Sequence, residues 1–213
     1  EEAARISADL AKGEKVKKNY YEKLEKSMKD DEISFKAVKG LYSGGTLAYE
    51  AAMLVSEALN LSCDTKETGY MLKTDGFEII DLGDDIYTQG KPHPMIDPSI
   101  RIEKLKEFGN DKNTGIILLD IVLGYGAHED MAGELAPIIR QILDEAKSEG
   151  RKLYIIGTVC GTKGDPQDYV KSQTVLEEAG MIVKESNVQA VRLALNLMGK
   201  DMNEADKELR EYK

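Results

Sequence analysis

The feature that most constrains this chain is a repeated alternation of short apolar runs with helix-length segments, running from residue 36 to residue 198. When each strand is followed by a helix, successive strands cannot pair as hairpins. The chain then builds a parallel sheet with helices over both faces. Lys36–Tyr42 reads as the first strand, Phe77–Leu82 as the second and Gly115–Val122 as the third. Lys152–Gly157 reads as the fourth and Met181–Val183 as a short fifth. Helices are predicted over Thr46–Asn60, Ser99–Phe108, Met131–Glu149, Gln167–Ala179 and Val188–Met198. The third and fourth strands are apolar without alternation, the pattern of strands covered on both faces. The expected fold is α/β: a doubly wound, five-stranded parallel sheet in the order 2-1-3-4-5.

Ahead of it, Ala3 to Met28 reads as one long charged helix. Its apolar positions Ile6, Leu10, Val16, Tyr20, Leu24 and Met28 form only a thin stripe. The expected organisation is a helical linker over 1–32, the α/β domain over 33–199 and a polar tail over 200–213. Opening on Glu1-Glu2-Ala3 without Met, the chain reads as a piece cut from something longer. A formal charge of −10 argues against nucleic acid or an anionic membrane as partner, since phosphate surfaces select a basic face. It leaves room for a small anion, which backbone N–H groups can hold without lysines. Cys63 and Cys160 are expected to be free thiols in a reducing, cytoplasmic setting. No apolar run reaches the length of a membrane span.

In the expected strand order the topological switch lies between strands 1 and 3, and ligands bind there at the carboxyl ends of the strands. Three glycine-rich loops converge on it: Ser43-Gly44-Gly45-Thr46, Leu123-Gly124-Tyr125-Gly126-Ala127-His128 and Thr158-Val159-Cys160-Gly161-Thr162-Lys163-Gly164. Glycines let backbone N–H groups approach a ligand, so Gly124, Gly126, Gly161 and Thr162 are candidate contacts. Asp165-Pro166 is expected to cap the helix after strand 4, and Glu129-Asp130 precedes the helix after strand 3. The helix after strand 1 has no carboxylate before Glu50. Ser43, Gly44, Gly45 and Thr46 are therefore the expected site of a phosphate, thioester or substrate carboxylate. The competing reading is a plain strand-to-helix turn.

His128, at the same edge, is a candidate acid, base or phosphate acceptor; an exposed loop residue beside Glu129 and Asp130 is the favoured alternative. His93 lies in the proline-stiffened Lys91-Pro92-His93-Pro94-Met95-Ile96-Asp97-Pro98, within a loop long enough to be functional or to cover the sheet edge. Cys160 is expected to be packed and inert, with an activated thiol as the lesser alternative. Asp84-Asp85 suggests magnesium less than it suggests solvated loop acids. No zinc pattern, nucleophile elbow, Walker loop or GxGxxG is present, so no metal site is expected.

Gly40–Ala48, Ile80–Asp85, Gly90–Pro98, Leu119–Ala127 and Gly161–Gln167 together resemble the FdrA family. The resemblance covers about Lys39 to Ala194, and Pro92-His93-Pro94-Met95-Ile96-Asp97-Pro98 is its most specific part. It implies a flavodoxin-like domain similar to the C-terminal CoA-ligase domain of succinyl-CoA synthetase and ATP-citrate lyase, closer to the β-subunit version. It also implies an acid–thiol ligase that uses CoA and a nucleoside triphosphate with Mg, bound mostly outside this chain. The implied partners are N-terminal CoA-binding and ligase domains of the same protein, with a homo-oligomer left open. The implied substrate is a small carboxylate or its acyl phosphate. In succinyl-CoA synthetases the phosphate-carrying histidine of the α-subunit lies in the loop after the strand matching the fourth here. This chain has Thr158-Val159-Cys160-Gly161-Thr162 in that loop, so the role has no residue to fall on. The family further suggests a component of oxamate carbamoyl transfer in purine-nitrogen breakdown. A non-catalytic assembly module is the reading of a different class.

Overall fold

The computed structural model describes residues 2–14, 37–61, 67–74 and 76–199, and the chain falls into two units, Glu1–Glu32 and Ile33–Lys213. In the first unit α1 runs over Glu2–Ala11 and then stops. Gly13 takes a left-handed φ of 71°, its N–H donates to the Leu10 carbonyl, and Glu14 N–H donates to the Asp9 carbonyl. This pair of bonds satisfies the last helical carbonyls and turns the chain away. The single helix expected from Ala3 to Met28 is therefore corrected to ten residues. The rest of that expectation, over 15–36, lies outside the described residues, as do Cys63 and the tail over 200–213.

The second unit is a mixed, mostly parallel sheet of β1 (Ala37–Tyr42), β2 (Tyr70–Thr74), β3 (Phe77–Asp81), β4 (Thr114–Val122), β5 (Tyr154–Cys160) and β6 (Ile182–Lys184). Their order is β2-β3-β1-β4-β5-β6. The expected count of five strands, all parallel, is corrected: the described residues form six, and β2 runs antiparallel to β3 at one edge. The other neighbours pair in parallel. The overlooked strand had a local signal. Thr74 pairs with Phe77 across Asp75-Gly76, an Asp-Gly between two strand-like runs, with Gly76 at φ 82°. With β2 set aside, the order β3-β1-β4-β5-β6 keeps β1 inside the sheet and the chain reversal beside it.

Helices α2 (Gly45–Leu59), α4 (Ser99–Asn110), α5 (Met131–Ser148), α6 (Tyr169–Glu178) and α7 (Asn187–Leu197) cover the sheet, and a one-turn α3 (Asp85–Thr88) follows β3. α2 packs with α7, and α4, α5 and α6 pack in a row. Gly109 lets α4 approach α5, since a Cβ there would sit 2.4 Å from Ile142 Cγ2. β4 is buried from Thr114 to Ile121, as a central strand must be. Among the described residues no helix is long and apolar enough to cross a membrane.

A buried polar joint ties α2 and α7 to β1. Tyr42 Oη, fully buried, donates to Asn187 Oδ1 at 2.9 Å. Asn187 Nδ2 donates to the Leu47 carbonyl at 3.1 Å and to Glu50 Oε2 at 2.8 Å. Burial pushes the Tyr42 phenol well above its usual pKa, with Asp120 and Glu50 adding to the shift, so it stays a neutral donor. Tyr42→Phe leaves Asn187 Oδ1 short of its donor and is expected to cost about 1–3 kcal/mol. Urea unfolding should show the loss as a lower midpoint with unchanged slope.

Candidate anion site at the carboxyl edge of the sheet

The chain leaves β1 through Ser43 and enters α2 at the N-cap Gly44, in extended geometry with φ −168° and ψ 155°. No side chain caps this helix, and its first turn carries no acid. Its first intrahelical bond is Ala48 N–H to the Gly44 carbonyl, which leaves the N–H groups of Gly45, Thr46 and Leu47 without an intrahelical acceptor. At α5 Asp130 accepts from Gly133 N–H, and at α6 Asp168 accepts from Lys171 N–H. The expected cap Asp165 is thus corrected to Asp168. Asp165 instead closes the preceding loop by accepting from Thr162 N–H at 2.5 Å.

The surroundings of α2 change the expectation that its terminus lacks a built-in carboxylate. Two acids reach it from neighbouring strands. Asp120, on β4 and 1% exposed, accepts from Ser43 N–H at 2.9 Å and from Ser43 Oγ at 2.7 Å. Ser43 N–H and Oγ are therefore engaged within the protein, which leaves Gly44, Gly45 and Thr46 of the expected set. Arg101 on α4, 3% exposed, donates through Nη2 to the Asp120 carbonyl and to Asp120 Oδ1 at 3.2 Å. Its Nη1 is buried without a partner beside a cavity of about 10 Å³ lined by Leu41, Leu105, Leu119 and Leu135.

Asp81, at the end of β3, is 7% exposed, and its Oδ1 accepts from Gly83 N–H at 2.8 Å. Its Oδ2 lies 3.0 Å from where a Cβ on Gly45 would stand. At Gly83 three atoms converge on the space a Cβ would fill: His93 Nε2 at 2.9 Å, Asp81 Oδ1 at 3.0 Å and the Ser43 carbonyl at 3.0 Å. His93 Nδ1 accepts from Met95 N–H at 3.2 Å, which in the neutral ring leaves Nε2 as the proton-bearing nitrogen facing this cluster. Asp84 accepts from Ile86 N–H and so caps α3; among the described residues no three His, Cys, Asp or Glu groups gather in a metal-ligating arrangement.

The other two loops are clasped together by Gln167. Its Oε1 accepts from Gly124 N–H at 2.9 Å, and its Nε2 donates to the carbonyls of Gly124 at 2.9 Å and His128 at 3.1 Å. Gly124, at φ 142°, and Thr162 thus have their N–H groups in use, while Gly126 faces open space. Gly161 packs its Cα face on Leu123. His128 is half-buried: its N–H donates to the Met95 carbonyl at 2.7 Å, and its Nδ1 accepts from Asp130 N–H. It links the Gly124 loop to the His93 loop. Cys160 is a free thiol as expected but exposed, which corrects the expectation of a packed residue. Partial desolvation of its sulfur, then Asp120 and Asp165, raise its pKa, so it is a poor thiolate.

Asp81 has its pKa raised, first by burial, then by Asp84 and Asp120, against the Gly83 N–H and His93, which lower it. A carboxyl whose pKa is higher folded than unfolded stabilises the fold at low pH, and that contribution is lost as pH rises through the folded value. Asp81→Asn keeps an oxygen for Gly83 N–H and removes the buried charge. It is expected to gain on the order of 1 kcal/mol at neutral pH. Melting temperature followed across pH should show the gain shrinking in acid.

The family model for CoA-ligase matches residues 41–197, from the end of β1 to the end of α7. Among curated proteins, the uncharacterized protein YahF of Escherichia coli (strain K12) is 37% identical over 168 residues, which are 75% of this chain and 32% of that protein. The chain thus spans about a third of the length of this relative. With most of the sheet and every loop of the candidate site inside the matched segment, the chain belongs to the CoA-ligase family.

Proposed function

We propose that this chain is the C-terminal ligase-like domain of an FdrA-type acyl-CoA synthetase, holding the phosphate or acyl-phosphate end of its substrate at the start of α2. A second ligase-like domain supplies the facing wall. CoA and nucleotide are used by related enzymes of the family; in this reading they bind mostly to other parts of a longer, cytoplasmic protein. The observation that carries the reading is the uncapped α2 terminus at the chain reversal of the sheet, where the N–H groups of Gly45, Thr46 and Leu47 lack intrahelical acceptors. Free N–H groups and the positive helix end favour an anion by about 0.3–2 kcal/mol from the dipole alone.

Gly45→Asp places a carboxylate at this terminus and is expected to reduce sulfate or phosphate affinity at least tenfold. Because a side chain at 45 also meets Asp81 Oδ2, the exposed Thr46→Asp serves as a second variant. Lys163→Ala, at the loop closed by Asp165, is the control and should bind as the parent does. If both acidic variants fold and bind like the parent, the anion is held elsewhere. In the longer protein, acyl-CoA formation supports the synthetase reading. Oxamate carbamoylation in its place moves the reading to the carbamoyl-transfer component, and neither activity leaves an assembly module.

A further inference from the structure

One carboxyl oxygen at the site receives no hydrogen bond from the described residues. Asp81 is more than nine-tenths buried and its Oδ1 is held by Gly83 N–H, while among the described residues no group donates to its Oδ2. That Oδ2 stands beside Gly45 without capping α2. An ionised Oδ2 here would repel any anion arriving at the same helix end. A protonated one is uncharged and becomes a donor. The geometry points to Asp81 as a proton-carrying ligand: Oδ2 takes one proton from solvent and donates it as a hydrogen bond to the anion bound at the start of α2. This rests on the α2 terminus being the anion site.

The groups around Asp81 favour the neutral acid. β4 brings Asp120, whose partner Arg101 already faces that carboxylate, and the chain after β3 brings Asp84. β1 contributes the Ser43 carbonyl near Oδ1, β2 the apolar Met71, and the first turn of α2 no charge. The Gly83 N–H on Oδ1 and then His93 oppose protonation. Burial adds to the two acids in raising the pKa of Asp81. Anion binding should then be coupled to proton uptake. Above the pKa of Asp81 each bound anion brings in about one proton, and affinity falls roughly tenfold per pH unit.

The test is calorimetric titration of sulfate, whose own charge does not change near neutral pH, into the parent and Asp81→Asn, in buffers of different ionisation enthalpy. The expected result is proton uptake and a falling affinity with rising pH in the parent, and a flat profile without uptake in Asp81→Asn. The parent measurement stands alone if the variant does not fold. Binding by the parent without proton uptake overturns the proposal and leaves the anion site intact. Uptake that persists in Asp81→Asn also overturns it, assigning the proton to His93 or another group. Absence of sulfate binding by both proteins at every pH overturns the anion site and this inference together.

Discussion

Gly157→Ala is expected to unfold the α/β unit. Gly157 lies in β5 opposite Leu119 of β4 and Val183 of β6. A Cβ at this position would stand 1.9 Å from the Leu119 carbonyl oxygen and 2.6 Å from Met181 Cε. The methionine can swing aside, but the carbonyl belongs to a strand hydrogen-bonded on both sides. Relief requires β4 and β5 to separate, which removes ladder bonds and opens the core that both strands line. A cost on the order of 4 kcal/mol or more is the scale of such core disruptions. That is a large share of the roughly 5–15 kcal/mol by which domains are stable. Circular dichroism of Gly157→Ala should show a lost or strongly lowered melting transition, and a parent-like melt would refute the packing described here.

Arg101→Met is the second large effect. It removes the cation facing the buried Asp120 and leaves that carboxylate with only Ser43 N–H and Oγ. Breaking one side of a buried pair costs about 3–5 kcal/mol, whereas replacing both sides is often nearly neutral. Arg101→Met combined with Asp120→Asn should therefore recover most of the loss, because Asn still offers an oxygen to Ser43. Urea titrations of the two single variants and the double variant form the cycle. Additive losses would show that the pair is not coupled. The single variant should also loosen the β1–α2 corner, since Asp120 fixes Ser43 immediately before the N-cap Gly44.

The alternation of runs located the strands β1, β3, β4, β5 and β6 and their helices to within a few residues, because core strands and amphipathic helices advertise themselves by period. β2 was missed although Asp75-Gly76 marked its hairpin. The α2 terminus was legible because capping is local, and Gly44-Gly45 without a neighbouring acid is visible in the letters. What faces that terminus was not. Asp81 and Asp120 come from strands far away in sequence, and only the parallel register places both beside Ser43–Gly45. A signal did exist: Asp120 interrupts Gly115–Val122 and Asp81 ends Phe77–Asp81, and an acid in an apolar strand implies a partner or a purpose. Arg101 and Gln167 carried no such mark, since a cation on a helix and an amide after a proline are ordinary surface residues until the fold buries their ends.

The most direct test of the central claim is a sulfate or phosphate titration of the isotopically labelled chain followed by amide nuclear magnetic resonance. Saturable shifts led by the N–H groups of Gly45, Thr46 and Leu47 are expected, with Gly83 responding through Asp81. Shifts confined to the 124–128 or 161–164 loops, or no saturable shift at the start of α2, would contradict it.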